Sequence, residues 1–211
     1  MLFEFLHRKV RQSERVALFP GAYNPPTVAH VEIARAALDW AGEVVWVLPR
    51  TLPHKALDAA DFAYRCEMLG QISNINDAFS VATTAGGLFS EIAAEGREAL
   101  GPSPEISLVC GRDAAQRAAD WDYGRPGAFD QFLAEYRMLV ADRSGGFQSP
   151  EYRAGRVIRL NLRTGIADDV SSTEVRRRME QGLPWEHLVP PAIAEWNKLS
   201  RGDFTTDDGI A

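Results

Sequence analysis

Short β-branched runs alternate with segments of helical spacing along most of this chain, the pattern of a parallel sheet whose strands are joined by crossover helices. The runs at 16–19, 44–48, 79–82, 106–110, 138–141 and 157–160 read as strands, those at 16–19, 44–48 and 106–110 stopped by Pro20-Gly21, Pro49 and Gly111. Residues 28–40, 62–72, 88–100, 172–181 and 192–199 read as helices, the first carrying Val31, Ala34 and Leu38 on one face. Loops are expected at 124–127 and 144–150, where glycine, proline and serine gather. The predicted fold is α/β, a Rossmann-like doubly wound sheet over 15–200 with a small C-terminal helical part. Leu2, Phe5, Leu6 and Val10 predict an apolar face on an N-terminal helical extension over 1–14, packed on the body or on a partner subunit, which leaves a homo-oligomer open. The acidic, glycine-containing end, 201–211, reads as a flexible tail.

Composition narrows the function classes. With 211 residues, 45% of them hydrophobic, the chain is long enough for one sizeable core. No apolar run approaches the roughly 20 residues that span a bilayer, and Glu4, His7, Arg8 and Lys9 interrupt the start in a way a secretory segment does not. A cytoplasmic protein with no membrane partner is expected. A net charge of -6 disfavours general nucleic-acid binding, which needs a basic surface, so any anion site must be built locally. Cys66 and Cys110 lack CxxC spacing and read as reduced core thiols, while His7, His30, His54 and His187 lack the spacing of a metal site.

Two strand-to-helix junctions, at 21–30 and 171–176, carry the chemistry. In Gly21-Ala22-Tyr23-Asn24-Pro25-Pro26-Thr27-Val28-Ala29-His30 the glycine permits a sharp turn, the prolines stiffen the loop and Thr27 suits a helix N-cap. His30, one helical turn on, would face the same anion as the Thr27 hydroxyl, with the helix dipole behind both. In Ser171-Ser172-Thr173-Glu174-Val175-Arg176 the Ser171/Glu174 spacing fits a capping box, with Arg176 projecting as a charge-assisted donor. Each junction alone also reads as an ordinary capped helix. Two in one α/β chain point to a polyphosphate.

These segments resemble the nucleotidyltransferase superfamily with (H/T)xGH and ISSTxxR motifs, and within it the nicotinate and nicotinamide mononucleotide adenylyltransferases. Leu52-Pro53-His54-Lys55 is similar to that family's PPHK segment, Tyr64-Arg65-Cys66-Glu67-Met68-Leu69 to its R-x-x-M-L helix, and Gly111-Arg112-Asp113-Ala114 with Trp121 to its G-x-D-A…W segment. Thr27 stands where most pyridine-nucleotide members have histidine and is similar to the phosphopantetheine adenylyltransferases. Ala29 replaces a glycine and Asn24 a common aspartate. The segment that contacts the pyridine carboxylate in the nicotinate enzymes is degenerate here, with Thr84 its one counterpart.

The resemblance implies adenylyl transfer from ATP to a pyridine mononucleotide, with pyrophosphate released and magnesium travelling with ATP. It implies His30, Thr27, Lys55 and Arg176 as the catalytic set. Gly21, Ala22, Tyr23, Gly111, Asp113, Ser171, Ser172 and Thr173 join Thr27, His30 and Arg176 around ATP. Asn24, His54, Lys55, Thr84, Asp113 and Trp121 surround the mononucleotide, with Trp121 offering a face to the pyridinium ring. Asp113 equally suits the first turn of a helix, and Arg65 and Arg112 suit either substrate contact or structural ion pairs. A transferase for another phosphorylated acceptor, such as phosphopantetheine, or one using CTP, is the alternative suggested by Thr27. A weakly catalytic nucleotide-binding module is the alternative suggested by Ala29 and the degenerate segment.

Overall fold

The computed structural model describes residues 2–9, 12–52, 59–142, 155–162 and 170–200. Its strands are β1 (Glu4–His7), β2 (Arg15–Pro20), β3 (Glu43–Pro49), β4 (Phe79–Thr84), β5 (Glu105–Gly111), β6 (Arg137–Ala141) and β7 (Val157–Leu160). Its helices are α1 (Val28–Ala37), α2 (Ala59–Gly70), α3 (Phe89–Leu100), α4 (Arg112–Asp120), α5 (Ala128–Glu135), α6 (Ser172–Glu180) and α7 (Pro191–Ser200). The expected tail at 201–211 and the loop at 144–150 lie outside the described residues.

The seven strands form one sheet in the order β1-β4-β3-β2-β5-β6-β7, parallel throughout except for β1. The chain runs outward from β2 through β3 to β4, then returns to β5 on the other side of β2. Strand order therefore reverses beside β2, and the crevice beyond the carboxyl ends of β2 and β5 is where open α/β sheets take ligands. Both junctions singled out from the sequence lead to this crevice.

Helices cover both faces, which is why the strands read as nearly continuous apolar runs. Side chains alternate between two cores: Ala17 and Phe19 of β2 with Trp46 and Leu48 of β3 join α1, α2 and α7, whereas Val16, Leu18, Val45 and Val47 join α3 and α5. Met68, Ile72, Phe79, Ile92, Leu108 and Met138 are fully buried within these layers.

The N-terminal segment corrects the expectation of a helix. β1 pairs antiparallel with β4, Glu4 opposite Thr83 and Phe5 opposite Ala82, with a bulge before His7. Phe3 and Phe5 pack into one core and Leu6 into the other, an alternation of period two in which Phe3, off the apolar face of the helical reading, is 3% exposed. The added strand covers the edge of β4, whose amides and carbonyls would otherwise be open to pairing. Arg8 then reaches the fully buried Glu43 with a two-pronged contact at 3.1 and 3.0 Å, and Ser80 donates to the same carboxylate. Phe3, Phe5 and Leu6 thus serve the chain's own core, whereas Leu2 is 58% exposed and Val10 lies outside the described residues.

α5 was not expected either, although Phe129, Phe132 and Leu133 have helical spacing and are buried. It starts directly after Gly127, which takes the left-handed φ of 72°, so the glycine-rich loop signal at 124–127 stood immediately before it. α4 buries only Ala115, too thin an apolar stripe to be read by periodicity.

Candidate active site

The loop from Gly21 to Thr27 is built around Tyr23. This residue takes a left-handed φ of 44°, a strained choice for a side chain with a Cβ, and turns its ring back beneath the loop. A Cβ on Gly21 would meet that ring at 2.8 Å, so glycine is required here by contact. The Tyr23 hydroxyl donates to the Phe19 carbonyl, and the ring lies 5.2 Å from Trp46 and 5.5 Å from His30. Burial pushes the Tyr23 phenol well above its ordinary range. The side chain expected at ATP is therefore the loop's buried support. The Asn24-Pro25 bond is cis, and Asn24 is 3% exposed.

Thr27 caps α1, but in a way the sequence did not indicate. The His30 amide donates to Thr27 Oγ1 at 3.4 Å and the Thr27 amide donates to His30 Nδ1 at 3.1 Å, a reciprocal capping box with histidine in the place usually held by Glu or Gln. Because a backbone N–H only donates, Nδ1 must accept, and in the neutral ring the proton resides on Nε2. The same Nδ1 lies 2.8 Å from Thr27 Oγ1. Thr27 is completely buried while His30 is half-buried. The hydroxyl expected to face an anion beside His30 is instead spent on orienting it. Ala29, also buried at 2% exposure, presents no methyl surface to a ligand.

Three carbonyls of this loop are gripped from elsewhere in the fold. Arg65 of α2 donates to Ala22 O at 3.1 Å, and its other arm meets Asp61 at 2.6 Å. From α6, Arg176 donates to Asn24 O at 2.6 Å and Ser172 to Pro25 O at 2.8 Å. Ser171 caps α6 by accepting from the Glu174 amide at 3.1 Å. The Glu174 carboxylate goes to Arg177 and Arg178, not back to the cap. Thr173 Oγ1 is 3.5 Å from Arg176. The N-termini of α1 and α6, two guanidinium groups and an imidazole donor are thus gathered at one loop, an arrangement that concentrates positive potential in a chain of net charge -6.

On the other side of the crevice, Gly111 ends β5 and caps α4. Asp113 lies in the first turn of α4, exposed and 3.6 Å from Arg112, which is the helix-start setting of its two readings. Trp121 closes α4 as its C-cap and lines a cavity of about 160 Å³ with Gly87, Leu88, Ala114 and Tyr123. Thr84 is buried and donates to Gly86 O at 3.0 Å, so its hydroxyl belongs to the turn after β4. His54 and Lys55 lie outside the described residues.

The sequence matches the cytidylyltransferase-like family over residues 18–178, from β2 into α6. The chain belongs to the cytidylyltransferase-like family. Among curated relatives of this cytidylyltransferase-like chain, a probable nicotinate-nucleotide adenylyltransferase of Salinibacter ruber is 30% identical over 188 residues, covering 84% of this chain and 92% of the relative. One of Gloeobacter violaceus with the same designation is 28% identical over 205 residues, covering 87% and 93%. Solved structures of the Plasmodium falciparum nicotinic acid mononucleotide adenylyltransferase share the fold: the complex with NaAD has a TM-score of 0.67 at 18% identity, covering 91% of this chain and 98% of that one. The complex with APC has a TM-score of 0.66 at 16% identity with the same coverage.

Of the two roles the sequence leaves open for Arg65 in this cytidylyltransferase-like site, complete burial, the ion pair with Asp61 and the bond to Ala22 O support the structural one. Glu91 and Glu95 drew no notice, yet they accept from four successive amides after β4, Ala85 and Gly86 to Glu95, Gly87 and Leu88 to Glu91. The signal was present as acidic residues four apart in the first turns of α3, following a glycine pair.

Proposed function

We infer that this protein transfers the adenylyl group of ATP to nicotinate mononucleotide, or to its amide counterpart, releasing pyrophosphate in a step of NAD biosynthesis. The observation that carries this reading is the clamp of Arg176 and Ser172 on the Asn24 and Pro25 carbonyls, which sets the start of α6 against the loop that orients His30. The curated relatives support the acceptor class.

In this reaction an oxygen of the acceptor 5′-phosphate attacks the α-phosphorus in line, the new P–O bond forms, and the bond to the β-phosphate oxygen breaks with its electron pair leaving on pyrophosphate. No protein nucleophile is needed, so catalysis rests on positioning and on donors aimed at developing charge. His30, with its proton held on Nε2 by the Thr27 amide, suits donation to the α-phosphate. The amides at the start of α6, with Arg176 and Thr173, suit the β- and γ-phosphates, and Lys55 and His54 would approach from the loop after β3. Among the described residues no three His, Cys, Asp or Glu side chains form a metal-binding group. Magnesium arriving with ATP would be held by phosphate oxygens and water, and would neutralise charge on the leaving group. Gly111, Asp113 and Trp121 suit the nucleosides.

The deciding experiment measures pyrophosphate release with ATP and, in turn, nicotinate mononucleotide, nicotinamide mononucleotide and phosphopantetheine, with CTP as the alternative donor. Release with a pyridine acceptor and ATP is the expected result. Release only with phosphopantetheine or only with CTP would overturn it.

A further inference from the structure

The turn after β4 and one side of α4 line an open cavity beside Trp121. At about 160 Å³ it compares with the roughly 150 Å³ that admits a benzene ring to a dry apolar cavity. Its walls are mainly apolar or aromatic, from Leu88, Phe89, Ala114, Ala118, Trp121 and Tyr123, and of its lining side chains only Arg117 is charged.

The turn itself offers this cavity little for binding an anion. Its amides at 85, 86, 87 and 88 all donate to the protein's own carboxylates, at 2.8 to 3.0 Å. The fit is close: a Cβ on Gly86 would stand 2.5 Å from Glu91 Cβ, so glycine is needed where the turn lies against α3. An anionic ligand entering here would meet amides already satisfied and two carboxylates behind them.

Arg117 is placed otherwise. It projects from α4, exposed, with no hydrogen bond or ion pair to any other described residue. It borders the apolar cavity and also a second one of about 240 Å³ lined by Gly111, Asp113, Ala141 and Asp142 at the ends of β5 and β6.

We propose that Arg117 is the specificity-determining residue for the acceptor, pairing with the carboxylate on the pyridine ring and so selecting the acid over the amide. This rests on the adenylyl-transfer reading above. A guanidinium at the rim of an apolar, ring-sized cavity donates two parallel hydrogen bonds to a carboxylate, which a carboxamide cannot accept in the same way.

The test compares kcat/KM for nicotinate and nicotinamide mononucleotide in the wild type, Arg117→Gln and Arg117→Lys. The wild type is expected to prefer the acid, and Arg117→Gln to lower the acid-to-amide ratio by about tenfold to a hundredfold, through KM for the acid, with the amide little changed. Arg117→Lys restores part of the ratio. An equal loss with both acceptors assigns Arg117 to the shared 5′-phosphate and overturns the proposal, as does an unchanged ratio or a wild type that prefers the amide. Failure of the wild type on both acceptors defeats the adenylyl-transfer reading as well, so the two failures are distinguished on the wild type alone. Circular dichroism of each variant confirms that this exposed helical position tolerates the change.

Discussion

Arg176 donates to the carbonyl of Asn24 at 2.6 Å across 152 positions of sequence, so the second helix start is fastened to the backbone of the loop that serves the first. Arg176→Ala removes this fastening and a cation at once. Its kcat/KM for ATP is expected to fall about tenfold to a hundredfold, the scale of a charge-assisted hydrogen bond. Steady-state kinetics with ATP varied provide the check, and unchanged values would reduce the junction to an ordinary capped helix.

Thr27 and His30 are separable by substitution because one orients and the other donates. Thr27→Val loses the cap, with about 1 kcal/mol of stability expected to go, and turnover falls with it; Thr27→Ser restores both. His30→Gln retains a side chain able to complete the capping box but has no imidazole, so turnover should drop about a hundredfold or more with the melting temperature held. Parallel thermal melts and rate measurements give the answer.

Arg65 is completely buried and its partner Asp61 nearly so. Asp61→Ala leaves the guanidinium without its carboxylate and is expected to cost about 3–5 kcal/mol in urea denaturation. The pair Asp61→Ala with Arg65→Met removes both charges and should recover much of that loss. It still frees the Ala22 carbonyl, so the double variant is expected to be stable but slow.

Hydrogen bonds from Arg177 and then Arg178 hold the Glu174 carboxylate far below its ordinary 4.5, at about 2. With the folded value depressed, the stabilisation is complete above about pH 4.5 and disappears as pH falls toward 2. Glu174→Gln should therefore melt lower than wild type at pH 7, with the gap closing through that window. Added salt should narrow the gap at pH 7, as for any surface ion pair.

Burial pushes the Cys66 thiol up to about 11 and the Cys110 thiol up to about 12. Neither offers a thiolate at neutral pH. Iodoacetamide at pH 7.5 is expected to leave both unmodified and activity intact, read by intact-mass spectrometry, until denaturant is added.

Much of this was legible in the residues. The β-branched runs gave six strands because burial on both sheet faces demands continuous apolar stretches, and the two capped junctions gave the crevice. β1 escaped because Leu2, Phe5 and Leu6 satisfy a helical face as readily as a strand; only the buried Phe3 and an open edge on β4 settle the matter. Thr27 was assigned to a ligand because sequence gives a residue's chemistry, not its burial. The same limit hid Glu91 and Glu95, whose partners are backbone amides with no identity in the sequence.

The grip of α6 on the Asn24 and Pro25 carbonyls has a consequence for synthesis. A nascent chain that has emerged only through β7 already holds six parallel strands and the whole first junction, yet two of the three tethers on that junction do not exist. Of the three side chains that grip its carbonyls, such a loop would have Arg65 but neither Arg176 nor Ser172. The first junction therefore reaches its full set of carbonyl contacts only once α6, the next-to-last helix, is in place.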